Sequence, residues 1–149
     1  DLSTVFVAVG GGGLSSGVAG IIKSVSPSTR VVGCSPANSA VMYHSLKAGE
    51  ILDLPSEPTL SDGTAGGVEP GTITFDILDR LLDDFVTVEE DAIREAFLEL
   101  IEVEHLLVEG SAAMAYAAAR APAGRTEGMT AVILCGGNVG VEKLRGILA

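Results

Sequence analysis

The chain has 149 residues, 47% of them hydrophobic and only 4% aromatic, and a net charge of −11. That length suits one domain with a sizeable core, and a profile rich in Ala, Val, Ile, Leu and Gly suits α/β layers better than an all-β fold. The charge argues against nucleic acid or an anionic membrane as a partner, no apolar run reaches membrane-spanning length and no signal peptide is visible, so a cytoplasmic protein is expected.

In chain order, Val5–Val9 predicts a strand, and four glycines, Gly10 to Gly13, separate it from a helix over Leu14–Val25. Ser26-Pro27-Ser28 breaks that helix. Val31–Ser35 predicts a second strand, and Ser39–Ala48 a helix closed by Gly49. The stretch from Leu54 to Gly71 is loop-rich, with Pro55, Pro58, Pro70, Gly63, Gly66 and Gly67. Thr72–Leu82 predicts a helix and Phe85–Val88 a short strand. Glu89 or Glu90 opens a helix through Glu104, in which Ala92, Ile93, Ala96, Phe97, Leu100 and Ile101 recur at helical spacing and predict core. Ser111–Ala121 is an alanine-rich helix, Thr130–Leu134 a buried strand ending in Cys135-Gly-Gly-Asn138, and Val141–Leu148 the last helix. The acidic residues between Asp83 and Glu109 read as a solvated helix face. This alternation predicts a parallel sheet with helices on both faces, and ligands in such sheets bind beyond the carboxyl ends of the strands. Gly10–Gly13 and Cys135–Asn138 both fall at such ends.

A strand that runs into glycines and then a helix is suited to an anion. Glycine tolerates positive φ and leaves no Cβ in a ligand's way. The first N–H groups of the helix lack internal partners, and the dipole puts roughly half a positive charge there. A tight turn needs one or two glycines, not four. The dinucleotide pattern G-x-G-x-x-G fails, because Ser15 or Ser16 stands at its last position. The acid expected about 20 residues on is also missing, since the second strand ends in Ser35. No lysine follows the glycines, so a Walker loop is excluded. A smaller phosphate ester remains. Cys34 and Cys135 show no C-x-x-C spacing, which indicates neither zinc nor a disulfide frame.

Val9-Gly-Gly-Gly-Gly-Leu14 with Ser-Ser-Gly-Val-Ala after it resembles the phosphate loop of pyridoxal-phosphate enzymes of the tryptophan-synthase β fold. More narrowly it resembles the serine/threonine dehydratase (threonine ammonia-lyase) group, which includes serine racemase. Thr59-Leu-Ser-Asp-Gly63, Leu82-Asp-Asp-Phe-Val-Thr-Val88, Val108-Glu-Gly-Ser-Ala112 and Leu134-Cys-Gly-Gly-Asn138 follow in the family's order. The resemblance covers the carboxy-terminal half of such an enzyme. It implies that residues 1–149 belong to the larger, pyridoxal-phosphate-binding catalytic domain, with the amino-terminal half outside this chain.

The resemblance implies that Gly10, Gly11, Gly12, Gly13 and Leu14 bind the phosphate of pyridoxal 5'-phosphate through backbone N–H groups. Cys135 matches the Ser or Cys that faces the pyridine nitrogen, and Glu109 an acid near the cofactor ring. Read from the residues alone, the alternative for Cys135 is a small buried strand-end residue, and for Glu109 an ordinary acid at a helix start. An Asp at Gly12 is expected to expel the cofactor and leave the fold largely intact. Asp62-Gly63 reads as a turn, with shaping of the cofactor-side wall as the alternative, and Asn138 as satisfying loop backbone. His44 and His105 are placed on helices away from every motif.

Some relatives bind a divalent metal after the second strand through acids whose places here fall to Ser35, Ser39 and Val41, so no metal is expected there. Longer biosynthetic relatives continue past the last helix into a regulatory domain, which these residues do not contain. The lysines Lys23, Lys47 and Lys143 all lie on predicted helices, outside the family's Schiff-base motif. The resemblance therefore places the catalytic lysine upstream and leaves residues 1–149 alone inactive. It implies dehydration and deamination of L-threonine or L-serine to a 2-oxo acid and ammonia, in a homo-oligomer. A racemase of the same family and a non-catalytic phosphate-ligand binder remain as alternatives.

Overall fold

A computed structural model describes residues 1–122 and 127–149. Four parallel strands form one sheet in the order β3-β2-β1-β4: β1 Leu2–Ala8, β2 Arg30–Pro36, β3 Asp84–Val88 and β4 Met129–Val132. The helices are α1 Gly13–Val25, α2 Val41–Ala48, α3 Ile73–Leu81, α4 Glu90–Glu102, α5 Gly110–Arg120 and α6 Val141–Leu148.

Side chains alternate across β1 because successive Cβ atoms of a strand point to opposite faces. Phe6 and Ala8 join Val32 and Cys34 of β2 beneath Ile93, Phe97 and Leu100 of α4, Ala113 and Met114 of α5, and Ile147 of α6. Val7 and Val31 pack on the other face with Ala19 of α1, and Val9 with Met42 of α2 and Leu78 of α3. Both faces of the sheet are thus covered, which is why the central strands read as unbroken apolar runs. Each fully buried Val, Leu or Phe contributes about 1.5–3 kcal/mol. The alanines of α5 bring that helix close to α4, and the buried helical positions Ile93, Ala96, Phe97 and Leu100 lie where the spacing puts them.

Four local expectations are revised. The strand expected as buried, β4, is only partly buried: it stands last in the sheet order of the described residues, paired with β1, with Met129 and Thr130 exposed and Ala131 and Val132 half-buried. The helix expected from Ser39 starts at Val41; Ala37–Ser39 form a 3-10 turn, and Ala40 (φ −103°, ψ 40°) breaks the path between them. His105 is on no helix, since α4 stops at Glu102 and the chain turns back with Leu106 N–H donating to the Leu100 carbonyl. That reversal puts His105 at φ 56°. The Asp62-Gly63 turn is a short 3-10 segment, Asp62–Thr64, inside the long loop.

That loop is pinned in place. Leu60 N–H donates to Glu90 Oε2 at 2.8 Å. The Leu60 carbonyl lies against Gly110, where any Cβ would collide with it, so α5 must begin with glycine. Thr64 backbone packs on Gly10, whose added Cβ would stand 2.9 Å from Thr64 Cα. The Asp62 carboxylate takes an ion pair from Lys143 of α6 at 2.6 Å.

Candidate functional site

The carboxyl ends of β1 and β4 open into a cleft of about 310 Å³. All seven residues singled out in the sequence, Gly10, Gly11, Gly12, Gly13, Leu14, Glu109 and Cys135, line it. Gly63, read from the sequence as a turn in preference to a cofactor-side wall, lines it, and so do Ser111, Thr64 and Gly136, to which the sequence assigned no role. Ser111 lies inside the Val108–Ala112 motif, but nothing in its spacing reveals that it faces another loop.

The four glycines divide into two pairs. Gly10 and Gly12 are required by the fold. A Cβ on Gly12 would meet Thr74 Cβ at 2.8 Å and Leu78 Cδ1 at 2.9 Å, and Gly12 has φ 89°, a region that costs an L-residue roughly 1–2 kcal/mol. Gly11 and Gly13 have nothing within 4 Å of an added Cβ. Their missing side chains leave open space at the mouth of the loop. This corrects the expectation for Gly12: an Asp there meets α3 and disrupts the fold. Thr74 Oγ1 donates to the Gly11 carbonyl at 2.6 Å and holds the loop on its outer side.

Two helix N-termini converge here. α1 begins at Gly13 with no acidic residue in its first turn and no side-chain cap. Ser15 and Ser16 donate their hydroxyls to the Gly12 carbonyl, at 3.2 and 2.6 Å, and leave the N–H groups of that turn uncapped. α5 begins at Gly110, and there the Glu109 carboxylate stands at the helix start without a capping hydrogen bond to it, accepting instead from the Ser111 hydroxyl. With no acid in its first turn and open space at Gly11 and Gly13, the α1 terminus has residues that fit a phosphate ester.

Glu109 is closely seated. Its carboxylate accepts a hydrogen bond from Ser111 Oγ at 2.7 Å. Gly136, at φ 87°, lies against the same carboxylate, and a side chain there would overlap it. Gly63 approaches from the third side, with its would-be Cβ 3.3 Å from Glu109 Oε1. Cys135 is half-buried at the cleft edge, with Sγ 3.9 Å from Ser111 Oγ. Cys34 is different: it is fully buried, and burial pushes its thiol up to about 12, which makes it inert core.

Other candidates stay outside. Asn138 is exposed, and among the described residues its amide holds no loop backbone, contrary to expectation. His44 is exposed on α2 with its ring edge-on to Tyr43 at 5.1 Å, and neither it nor His105 reaches the cleft. Ser35 donates to the Val9 carbonyl at 2.7 Å, Ser39 hydrogen-bonds Ser56 Oγ at 2.6 Å, and Val41 lies in the core. Among the described residues no three His, Cys, Asp or Glu side chains gather as a metal site, and no helix is long and apolar enough to cross a membrane.

The family described as "Pyridoxal-phosphate dependent enzyme" matches residues 1–136. An L-threonine ammonia-lyase from Thermotoga maritima is 36% identical over 148 residues, covering 99% of this chain and 37% of the relative. The chain therefore spans little more than a third of that relative's length. The processed form of threonine deaminase isoform 2 from Solanum lycopersicum superposes with a TM-score of 0.91 at 33% identity, over 99% of this chain and 43% of that one. Maize serine racemase gives 0.88 at 32% identity, over 99% and 47%. The α/β architecture expected from the sequence, with its parallel sheet and two helical layers, is shared with these tryptophan-synthase-β-like enzymes. A loop shaped to leave room for a phosphate heads a sheet whose sequence matches throughout, and the chain belongs to the pyridoxal-phosphate-dependent enzymes, whose cofactor is pyridoxal 5'-phosphate.

Proposed function

We propose that the protein containing this chain dehydrates and deaminates a hydroxy amino acid, L-threonine or L-serine, to a 2-oxo acid and ammonia. The observation that carries the reading is the division of the glycine loop, with Gly11 and Gly13 facing open space at an uncapped helix terminus. In this reading the N–H groups of Gly10 to Leu14 hold the cofactor phosphate, and Glu109 and Cys135 wall the ring. The bound cofactor supplies the electron sink that makes the α-proton removable. Cys135 offers a small neutral group rather than a carboxylate, which suits early loss of the β-hydroxyl over long-lived exchange at the α-carbon.

This chain supplies the cradle and a different stretch of polypeptide supplies the cofactor-bearing lysine. Each lysine here is engaged away from the cleft: Lys23 with Asp83, Lys47 over Tyr43, and Lys143 with Asp62. The share of the relatives that the chain spans supports the same division.

The test is to load the full-length protein with pyridoxal 5'-phosphate, follow its absorbance with and without borohydride, and assay 2-oxo acid from L-threonine and L-serine. Release of 2-oxo acid is expected. A second reading, amino-acid racemisation, is favoured by the likeness to maize serine racemase. D-amino acid formed faster than 2-oxo acid would select it, and no bound cofactor would overturn both.

A further inference from the structure

We infer that Ser111 is a positioning residue, which holds the Glu109 carboxylate in the cleft and couples it to Cys135. The inference rests on the proposed cofactor cleft and deepens it.

Ser111 is 2% exposed, so no bulk water is available to its hydroxyl. A hydroxyl has one proton to give and two lone pairs to receive with. The shortest contact of Ser111 Oγ is 2.7 Å, to Glu109 Oε1, whereas the Cys135 carbonyl stands at 3.4 Å. An ionised carboxylate only accepts, so the Ser111 proton goes to Glu109. The Ser111 oxygen then has lone pairs left, and the Cys135 thiol at 3.9 Å is the donor that faces them. The order is thiol to hydroxyl to carboxylate, and it joins the two cleft-lining side chains through one buried oxygen.

The backbone around Glu109 supports a built seat rather than a chance contact. Gly136 and Gly63 withhold a Cβ on two sides of the carboxylate. Glu109 N–H donates to the Gly136 carbonyl at 3.2 Å, which fixes the loop that carries Cys135 relative to the start of α5. Glu109 makes no capping hydrogen bond to its own helix, so its carboxylate is left to the hydroxyl and the cleft. Without Ser111 the carboxylate loses its side-chain donor and the thiol its acceptor, although both residues remain present.

The experiment uses the full-length protein stripped of cofactor, titrated with pyridoxal 5'-phosphate by fluorescence and absorbance. Ser111→Ala should weaken binding about tenfold and shift the absorbance band of the bound cofactor, because loss of a buried donor to a charge reads at this scale. Ser111→Thr, which keeps the hydroxyl, should restore both. In a Glu109→Ala background Ser111→Ala should add less than about threefold, because Ser111 acts through the carboxylate. Wild-type affinity and spectrum in Ser111→Ala would overturn the inference, as would a full effect in the Glu109→Ala background. Should Ser111→Ala fail to fold by circular dichroism, Ser111→Cys keeps the volume with a weak donor and is read against the same criteria. Failure of the wild type to bind the cofactor would instead overturn the proposed cofactor site.

Discussion

Gly12 and Thr74 are in contact: a Cβ built on Gly12 falls 2.8 Å from the Cβ of Thr74, whose hydroxyl also holds the Gly11 carbonyl. The loop is therefore clamped by α3 on one side and open on the other. Substitutions on the two sides should separate stability from ligand binding. Gly12→Ala should destabilise the protein by roughly 2–4 kcal/mol, from left-handed backbone strain plus overpacking, measured by urea denaturation. Gly13→Asp should fold normally, since an acid in the first helical turn is favourable by about 0.3–1 kcal/mol. It should nevertheless lose most of its cofactor affinity, because its carboxylate takes the anion's place. Unchanged affinity in Gly13→Asp would remove the phosphate from this loop.

The Lys23–Asp83 pair governs part of the acid stability. Lys23 Nζ lies 2.7 Å from Asp83 Oδ2, and Val31 N–H donates to the same carboxylate at 2.6 Å. Burial pushes the Asp83 carboxyl up, but the Lys23 ammonium and the Val31 N–H together outweigh it and hold the group below its ordinary value. A carboxyl depressed in the folded state stabilises the fold above its unfolded pKa, near about 3.9, and loses that contribution as the pH falls through the lower folded value. Asp83→Asn should cost about 1 kcal/mol or less at neutral pH, since solvent screens the partly exposed pair. It should also flatten the loss of stability below about pH 4. Urea midpoints from pH 7 down to pH 3 check this, and parallel curves for wild type and variant would refute it.

At Cys135 the neutral replacement and the charged one should diverge. Cys135→Ser keeps a small donor within reach of Ser111, so the proposed dehydratase activity of the full-length protein should stay within about tenfold, or roughly 1.4 kcal/mol of barrier. Cys135→Asp would place a second carboxylate beside the seat of Glu109, where like charges disfavour each other. Turnover should fall, and the share of α-proton exchange over 2-oxo acid release should rise, read by solvent deuterium incorporation. The same product ratio in both variants would show that Cys135 does not face the ring.

Chelation should leave the activity of the full-length protein nearly unchanged. Ser35 and Ser39 spend their hydroxyls on internal hydrogen bonds, and Val41 is 2% exposed in the core, so a hard cation finds no carboxylate at these places. Strong inhibition by EDTA that magnesium or calcium reverses would place a metal elsewhere.

Local chemistry settled much of this protein in advance. Alternating apolar strands and amphipathic helices dictate a parallel α/β sheet, because β-α-β units close only in that way. Glycines between β1 and α1 mark a candidate anion site, because helix N–H groups and absent Cβ atoms act within a few residues of each other. The motifs around Glu109 and Cys135 mark two more segments, but spacing alone does not say that they meet.

Tertiary packing decided the rest. The pairing of β4 with β1, across the sheet from β2, is set by tertiary packing, and no local pattern encodes it. Which glycines are packed and which face open space depends on α3 and the Thr64 loop, which lie more than fifty residues away in sequence. Ser111 gains its place only when the start of α5 comes against the Cys135–Gly136 turn. Short-range propensity and periodicity act along the chain and are legible there. Contacts between distant segments are set by packing the whole core, and only the folded chain displays them.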